Sequence, residues 1–253
     1  MKHLLFLIIC SWQVCIALGS DLEREKRLQE QTLAALFTGE PVHLRAGDHD
    51  FLALETPGEP DNRGAVILLH GRGYGPDSEV VVGPMREALS EQGWHTLSLQ
   101  MPVLAKGMKY YDYVDTFHQA GERIEAGLRH LSNRGFSPVI LLAHSCGVHM
   151  SMDWIRQNGD DEIDGYIGIA MGATDYGQPM KLPFPLADMR VPVLDIYGSS
   201  DWPSVVDTAD ERWQAIEKNN PRSEQIIIAD ANHEFLNQAE PLIEAVSGWL
   251  SEF

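Results

Sequence analysis

After its first twenty residues the chain repeats one pattern: a short apolar run, then a longer segment with apolar residues at helical spacing. Five runs, Ala65 to Leu69, His95 to Leu99, Val139 to Ala143, Tyr166 to Ala170 and Val193 to Tyr197, read as parallel strands buried on both faces, and Gln225 to Ala229 as a sixth. Helical patterns at Ser78 to Gln92, Thr116 to Arg134, His149 to Gln157 and Val205 to Asn219 separate most of them, and Ala239 to Leu250 follows the last. This alternation predicts an α/β fold, a mostly parallel central sheet with helices on both faces. Ahead of it, Val42 to Arg45 and Phe51 to Glu55 predict an antiparallel pair around Gly47-Asp48-His49-Asp50. Asp21 to Phe37 predicts a helix that packs on the main domain, with Leu28, Leu33, Leu36 and Phe37 as its apolar positions.

The N-terminus has a basic start at Lys2, an apolar core from Leu4 to Cys10 and a small-residue exit at Ala17-Leu18-Gly19-Ser20. These are the parts of a secretory signal peptide over residues 1–19, and they predict an exported protein, periplasmic or secreted. The run is too short, and too interrupted by Gln13, to span a bilayer, so no stable membrane insertion is expected after cleavage. Residues 20–253 are then enough for one sizeable α/β domain. Cleavage removes Cys10 and Cys15 and leaves Cys146 alone, so no intramolecular disulfide can form. The formal charge of −18 becomes −19, because Lys2 leaves and no acid does. Such a balance argues against nucleic acid and anionic lipid as partners.

Parallel sheets of this kind take their ligands outside the carboxyl ends of the strands. Four of those ends carry chemistry: His70-Gly71-Arg72-Gly73-Tyr74-Gly75, Ala143-His144-Ser145-Cys146-Gly147, Gly198-Ser199-Ser200-Asp201 and Asp230-Ala231-Asn232-His233. Ser145, at the tip of one strand and at the start of the next helix, has the setting of a nucleophile elbow.

In this order, a glycine-rich loop, then serine, acid and histidine, the chain resembles the α/β-hydrolase superfamily over about residues 40 to 253. The resemblance implies Ser145 as nucleophile, Asp201 as acid, His233 as base and His70-Gly71-Arg72-Gly73 as the oxyanion loop. Leu68-Leu69-His70-Gly71 and Gly93-Trp94-His95-Thr96-Leu97, behind an export signal, are similar to a group of small exported bacterial α/β-hydrolase-like proteins of unsettled activity. One departure is Ala143, where the commonest pattern has glycine.

The chemistry of these residues fits those roles. A serine hydroxyl needs a base to become nucleophilic; His233 can take and return the proton, and Asp201 can hold the ring in the required tautomer. The backbone N–H groups of Arg72 and Cys146 are the candidate oxyanion donors. Asp195 and Asp207 compete with Asp201, but the first points along a strand and the second lies on a helix, which favours Asp201. His70 and His144 read as structural residues that bond nearby backbone, His149 as facing either pocket or core, and Cys146 as an amide donor rather than a nucleophile. No cofactor and no metal are expected, because no histidine pair has ligand spacing.

Two segments read either as pocket walls or as loop packing: Met101 to Leu104 with Met108, Tyr110, Tyr111 and Tyr113, and Tyr176 to Pro185. Neither is long enough for a large lid domain. The expected function is a serine esterase-like hydrolase acting on a small-molecule ester or thioester. A non-catalytic binding or assembly protein of the cell envelope and an acyltransferase are the alternatives.

Overall fold

A computed structural model describes residues 19–59 and 62–253; the predicted signal peptide lies outside them except for Gly19. In chain order the elements are α1 (Leu22–Ala35), β1 (Glu40–Ala46), β2 (His49–Thr56), β3 (Ala65–Leu69), α2 (Val82–Glu91) and β4 (His95–Leu99). Then come α3 (Tyr110–Tyr113), α4 (Phe117–Ser132), β5 (Val139–His144), α5 (Cys146–Asn158) and β6 (Gly165–Ile169). The chain ends with β7 (Val193–Gly198), α6 (Pro203–Val206), α7 (Ala209–Ile216), β8 (Glu224–Ile228) and α8 (Ala239–Leu250).

Among the described residues one sheet of eight strands forms, in the order β1-β2-β4-β3-β5-β6-β7-β8. β1 and β2 make the predicted antiparallel hairpin, β2 joins β4 antiparallel, and the six strands from β3 onward run parallel. Alternate residues of the buried strands serve opposite cores. Ala65, Ile67, Leu69, Leu141 and Ala143 pack with α4 and α5, through residues such as Phe117, Ile124 and Val148. Val66, Leu68, Ile140 and Leu142 pack with α2 and α8, through Met85, Leu89, Leu242 and Trp249. The chain enters the parallel part of the sheet at β3, steps outward to β4 and then returns past β3 to β5, so the order reverses there. That switch point sets the carboxyl ends of β3 and β5 side by side and opens a crevice above them.

Two predicted helices differ from their observed form. Ser78 to Gln92 becomes helical only from Val82, because Pro84 is tolerated only in a first turn. Val205 to Asn219 is split into α6 and α7. At the break Thr208 Oγ1 donates to Ser204 O at 2.8 Å and Arg212 Nη1 to Val205 O at 2.8 Å, so side chains take carbonyls that a continuous helix would use.

The N-terminal helix α1 is present, but its apolar positions are not what attaches it. Leu33 is 38 % exposed and Phe37 98 %, whereas Glu25 is 5 % exposed. Glu25 pairs with buried Arg123 of α4 at 2.8 Å, and Arg123 also donates to Gln100 O at 2.8 Å. Just before the helix, Asp21 N–H donates to Val103 O at 2.7 Å. Polar contacts of Glu25 and Asp21 thus join α1 to the domain, while Leu33 and Phe37 face solvent.

Candidate active site

Ser145 sits between β5 and α5 with φ 55° and ψ −117°, a conformation that non-glycine residues rarely adopt. Its neighbours hold it there. Ser145 N–H donates to Ile169 O at 2.9 Å, and Val148 N–H to Ser145 O at 3.0 Å. Gly147 is required by close approach: a Cβ there would lie 2.8 Å from the carbonyl oxygens of both Leu69 and His70. The Ala143 methyl, the departure from the commonest pattern, is fully buried and lies opposite Gly168 of β6.

The loops after β7 and β8 meet in the same way. A Cβ on Gly198 would lie 2.2 Å from Ala231 O, so only glycine lets the two backbones come this close. Ser199 N–H donates to Ile228 O and Ser200 N–H to Ala231 O, each at 2.9 Å, and Asp230 turns with φ 58°. This brings His233 between Ser145 and Asp201. Ser145 Oγ lies 2.8 Å from His233 Nε2, and His233 Nδ1 lies 2.7 Å from Asp201 Oδ1. An ionised Asp201 only accepts, so Nδ1 carries the ring proton and Nε2 accepts from the serine hydroxyl. Asp201 Oδ1 also accepts from Trp202 N–H at 2.6 Å, while its Oδ2 is buried without a partner among the described residues.

The competing acids lie elsewhere. Asp195 is wholly buried, receiving Arg212 Nε and Gln225 Nε2 at 2.8 Å each, and Asp207 is exposed at the end of α6. Burial raises the Asp195 carboxyl, against the pull of Arg212.

The other histidines near the serine bond backbone. His70 Nδ1 lies 2.8 Å from Gly71 O while its Nε2 accepts from Met101 N–H at 2.8 Å, and His144 Nε2 lies 3.1 Å from His233 O. His149 points into the core against Tyr110, Phe117 and Phe184, its Nε2 2.9 Å from Ala173 O. Burial lowers all three, His70 and His149 to about 4 and His144 to about 3, so they are neutral imidazoles. Burial pushes the Cys146 thiol up to about 12. Among the described residues no group of three or more His, Cys, Asp or Glu is placed to hold a metal ion.

A pocket of about 200 Å³ opens over Ser145, lined by Arg72, Tyr74, Tyr110, Cys146, Ala173, Trp202, His233 and Glu234. Of the first segment named as a wall, only Tyr110 reaches this pocket. Met101, Val103 and Leu104 are core residues, and Tyr113 accepts Leu104 N–H at 2.9 Å through its hydroxyl. The second segment leaves Tyr176 fully exposed and lines a neighbouring cavity.

Two residues of the site had no signal in the sequence. Trp202 stacks on His233 with centroids 3.9 Å apart and planes at 18°. Asp175 gathers the rim: it pairs with Arg72 at 2.5 Å, accepts Tyr110 N–H at 2.7 Å and receives Lys109 Nζ at 3.2 Å. Partial burial works to raise the Asp175 carboxyl, but the bonds from Arg72 and Tyr110 hold it at about 2.

The same architecture recurs in solved structures. An α/β serine hydrolase homologue from Coxiella burnetii superposes with TM-score 0.65 at 18 % identity, covering 84 % of this chain and 98 % of its own. Est1E from Butyrivibrio proteoclasticus gives 0.65 at 16 %, covering 85 % and 98 %. XC6422 from Xanthomonas campestris, a serine hydrolase without a lid, gives 0.65 at 15 %, covering 86 % and 95 %. No curated protein matches the sequence. The sequence does match a protein family described as of unknown function, DUF3530, over residues 17–110 and 115–252. The chain belongs to the DUF3530 family, and its fold is the α/β-hydrolase fold without a large lid domain.

Proposed function

We propose that this protein is an exported serine hydrolase that cleaves carboxylic esters or thioesters through an acyl-serine intermediate. The observation that carries the reading is the hydrogen-bonded chain from Ser145 Oγ through His233 to Asp201, with spacings of 2.8 and 2.7 Å. His233 takes the serine proton as Oγ attacks the carbonyl carbon, and Asp201 stabilises the imidazolium that forms. The backbone N–H groups of Arg72 and Cys146 receive the developing oxyanion. In support, both residues line the pocket with Ser145, and Cys146 opens α5, where the first amides have no carbonyl a turn earlier. His233 then protonates the leaving oxygen or sulfur, and water, activated by the same imidazole, releases the acid.

Reaction with a fluorophosphonate tests the nucleophile. The wild type is expected to form a mass adduct at Ser145 and to hydrolyse short p-nitrophenyl esters, and Ser145→Ala to do neither. Asp201→Asn is expected to lower kcat by about 10⁴-fold, with Asp207→Asn unaffected. Full activity in the Asp201 variant removes that assignment. An unlabelled, inactive wild type favours a binding protein instead.

A further inference from the structure

Beyond the small pocket lies a larger cavity, about 600 Å³ against about 200 Å³, and Trp202 lines both. The lining of the larger one is of two kinds. Tyr176, Trp202, Pro179 and Pro203 bring ring side chains, with Tyr176, Pro179 and Pro203 exposed to solvent. The same cavity is lined by hydrogen-bonding groups, Thr174, Asp175, Ser204, Gln178 and Lys109. Gln178 spends its Oε1 on Tyr111 N–H at 3.0 Å, and Lys109 one proton on Asp175 at 3.2 Å. The amide N–H groups of Gln178 and the remaining ammonium protons of Lys109 are thus donors to spare.

A long alkyl chain gains most from an enclosed, dry channel. An open site with ring side chains and donors suits a rigid ring with an apolar face and hydroxyl oxygens at its edge, which is the chemistry of a sugar. The net charge of −18 disfavours an acidic sugar. The pocket over Ser145 is small, about 200 Å³ against about 600 Å³, and what stays on the serine after the first step is the acyl group.

We infer that the substrate is a short-chain acyl ester of a neutral sugar, the acyl group in the pocket of Ser145 and the sugar ring against Trp202 and Tyr176. The inference rests on the proposed serine chemistry. Ser145 Oγ bonds to the acyl carbon as the bond to the sugar oxygen breaks, and that oxygen leaves with the proton held by His233. Water then splits the acyl-serine, so ester and water give sugar and carboxylic acid.

The test is acid release by the wild type, Tyr176→Ala and Tyr176→Phe on methyl glucoside carrying a single acetyl ester, ethyl acetate, phenyl acetate and ethyl octanoate. The wild type is expected to prefer the acetylated glucoside over ethyl acetate by about tenfold or more in kcat/KM, the size of one good ring contact. Tyr176→Ala is expected to lose most of that preference and Tyr176→Phe to keep it. Ethyl acetate hydrolysis without a preference for the glucoside, or a preference unmoved by Tyr176→Ala, overturns the inference and leaves the serine chemistry standing. A preference for ethyl octanoate over the glucoside, or a preference for phenyl acetate that Tyr176→Ala removes, also overturns it, in favour of an alkyl or aryl group. Absence of all hydrolysis together with absence of fluorophosphonate labelling overturns both.

Discussion

The strained backbone at Ser145 persists only because its surroundings leave no room to relax, and Gly147 is where that packing is tightest. A methyl added at 147 meets two backbone carbonyls of the loop after β3, neither of which can rotate away. Gly147→Ala is therefore expected to cost about 1–3 kcal/mol in urea unfolding and to lower the proposed ester hydrolysis as well, since the same push displaces His70 and Gly71. Unchanged stability would mean that this contact relaxes freely. At the adjacent position, burial holds Cys146 as a thiol far above neutral pH. The native protein is expected to resist iodoacetamide at pH 8 and the urea-unfolded protein to be alkylated at Cys146, by mass spectrometry. Rapid alkylation of the native chain would refute this.

At the scale of elements, some of the molecule was legible and some was not, and the difference is one of range. The strands were readable because β-branched and leucine runs report burial locally, and Ser145, Asp201 and His233 because each follows such a run in chain order. Asp175 carries no such mark: its partners Arg72 and Tyr110 lie 103 and 65 residues away. The contacts that attach α1 are hidden from the sequence for the same reason. Leu33 and Phe37 announce an apolar stripe, whereas the contacts that hold the helix come from Glu25 and Arg24, whose partners are remote in sequence. Arg24 donates one guanidinium nitrogen to Leu104 O and the other to Gly73 O, the latter at 3.1 Å, and so ties α1 to the glycine-rich loop. Arg24→Ala is expected to lower kcat on a short ester by about tenfold with a smaller change in KM, because it loosens a loop that must be placed to within an ångström. Arg24→Lys, unable to bridge both carbonyls, is expected to recover only part. A pure KM effect would show that α1 does not position the loop.

Across the whole molecule the most consequential feature is the set of neutral histidines packed around the carboxyl ends of the strands. His70 and His149 are lowered by burial to about 4 and His144 to about 3, whereas in the unfolded chain each takes up a proton near 6.5. Between pH 6.5 and about 4 the unfolded state therefore binds more protons than the folded one, so stability is complete above about pH 7 and declines as the pH falls through this window. Each fully displaced histidine contributes about 1.4 kcal/mol per pH unit, and the three together up to about 4 kcal/mol per unit, a large share of the roughly 5–15 kcal/mol that keeps a domain folded. Asp175 acts in a different window: its carboxyl, held at about 2, stabilises the fold above its unfolded value near 3.8 and is lost only as pH falls toward 2. Thermal unfolding is therefore expected to move to lower temperature from pH 7 to pH 5, above the ordinary carboxylate range. His149→Gln is expected to reduce the slope of stability against pH by about one quarter, since burial lowers His95 to about 4 as well and His149 is one of four such groups. A melting temperature that stays level between pH 7 and pH 5 would mean that these imidazoles find water, or a proton, inside the fold.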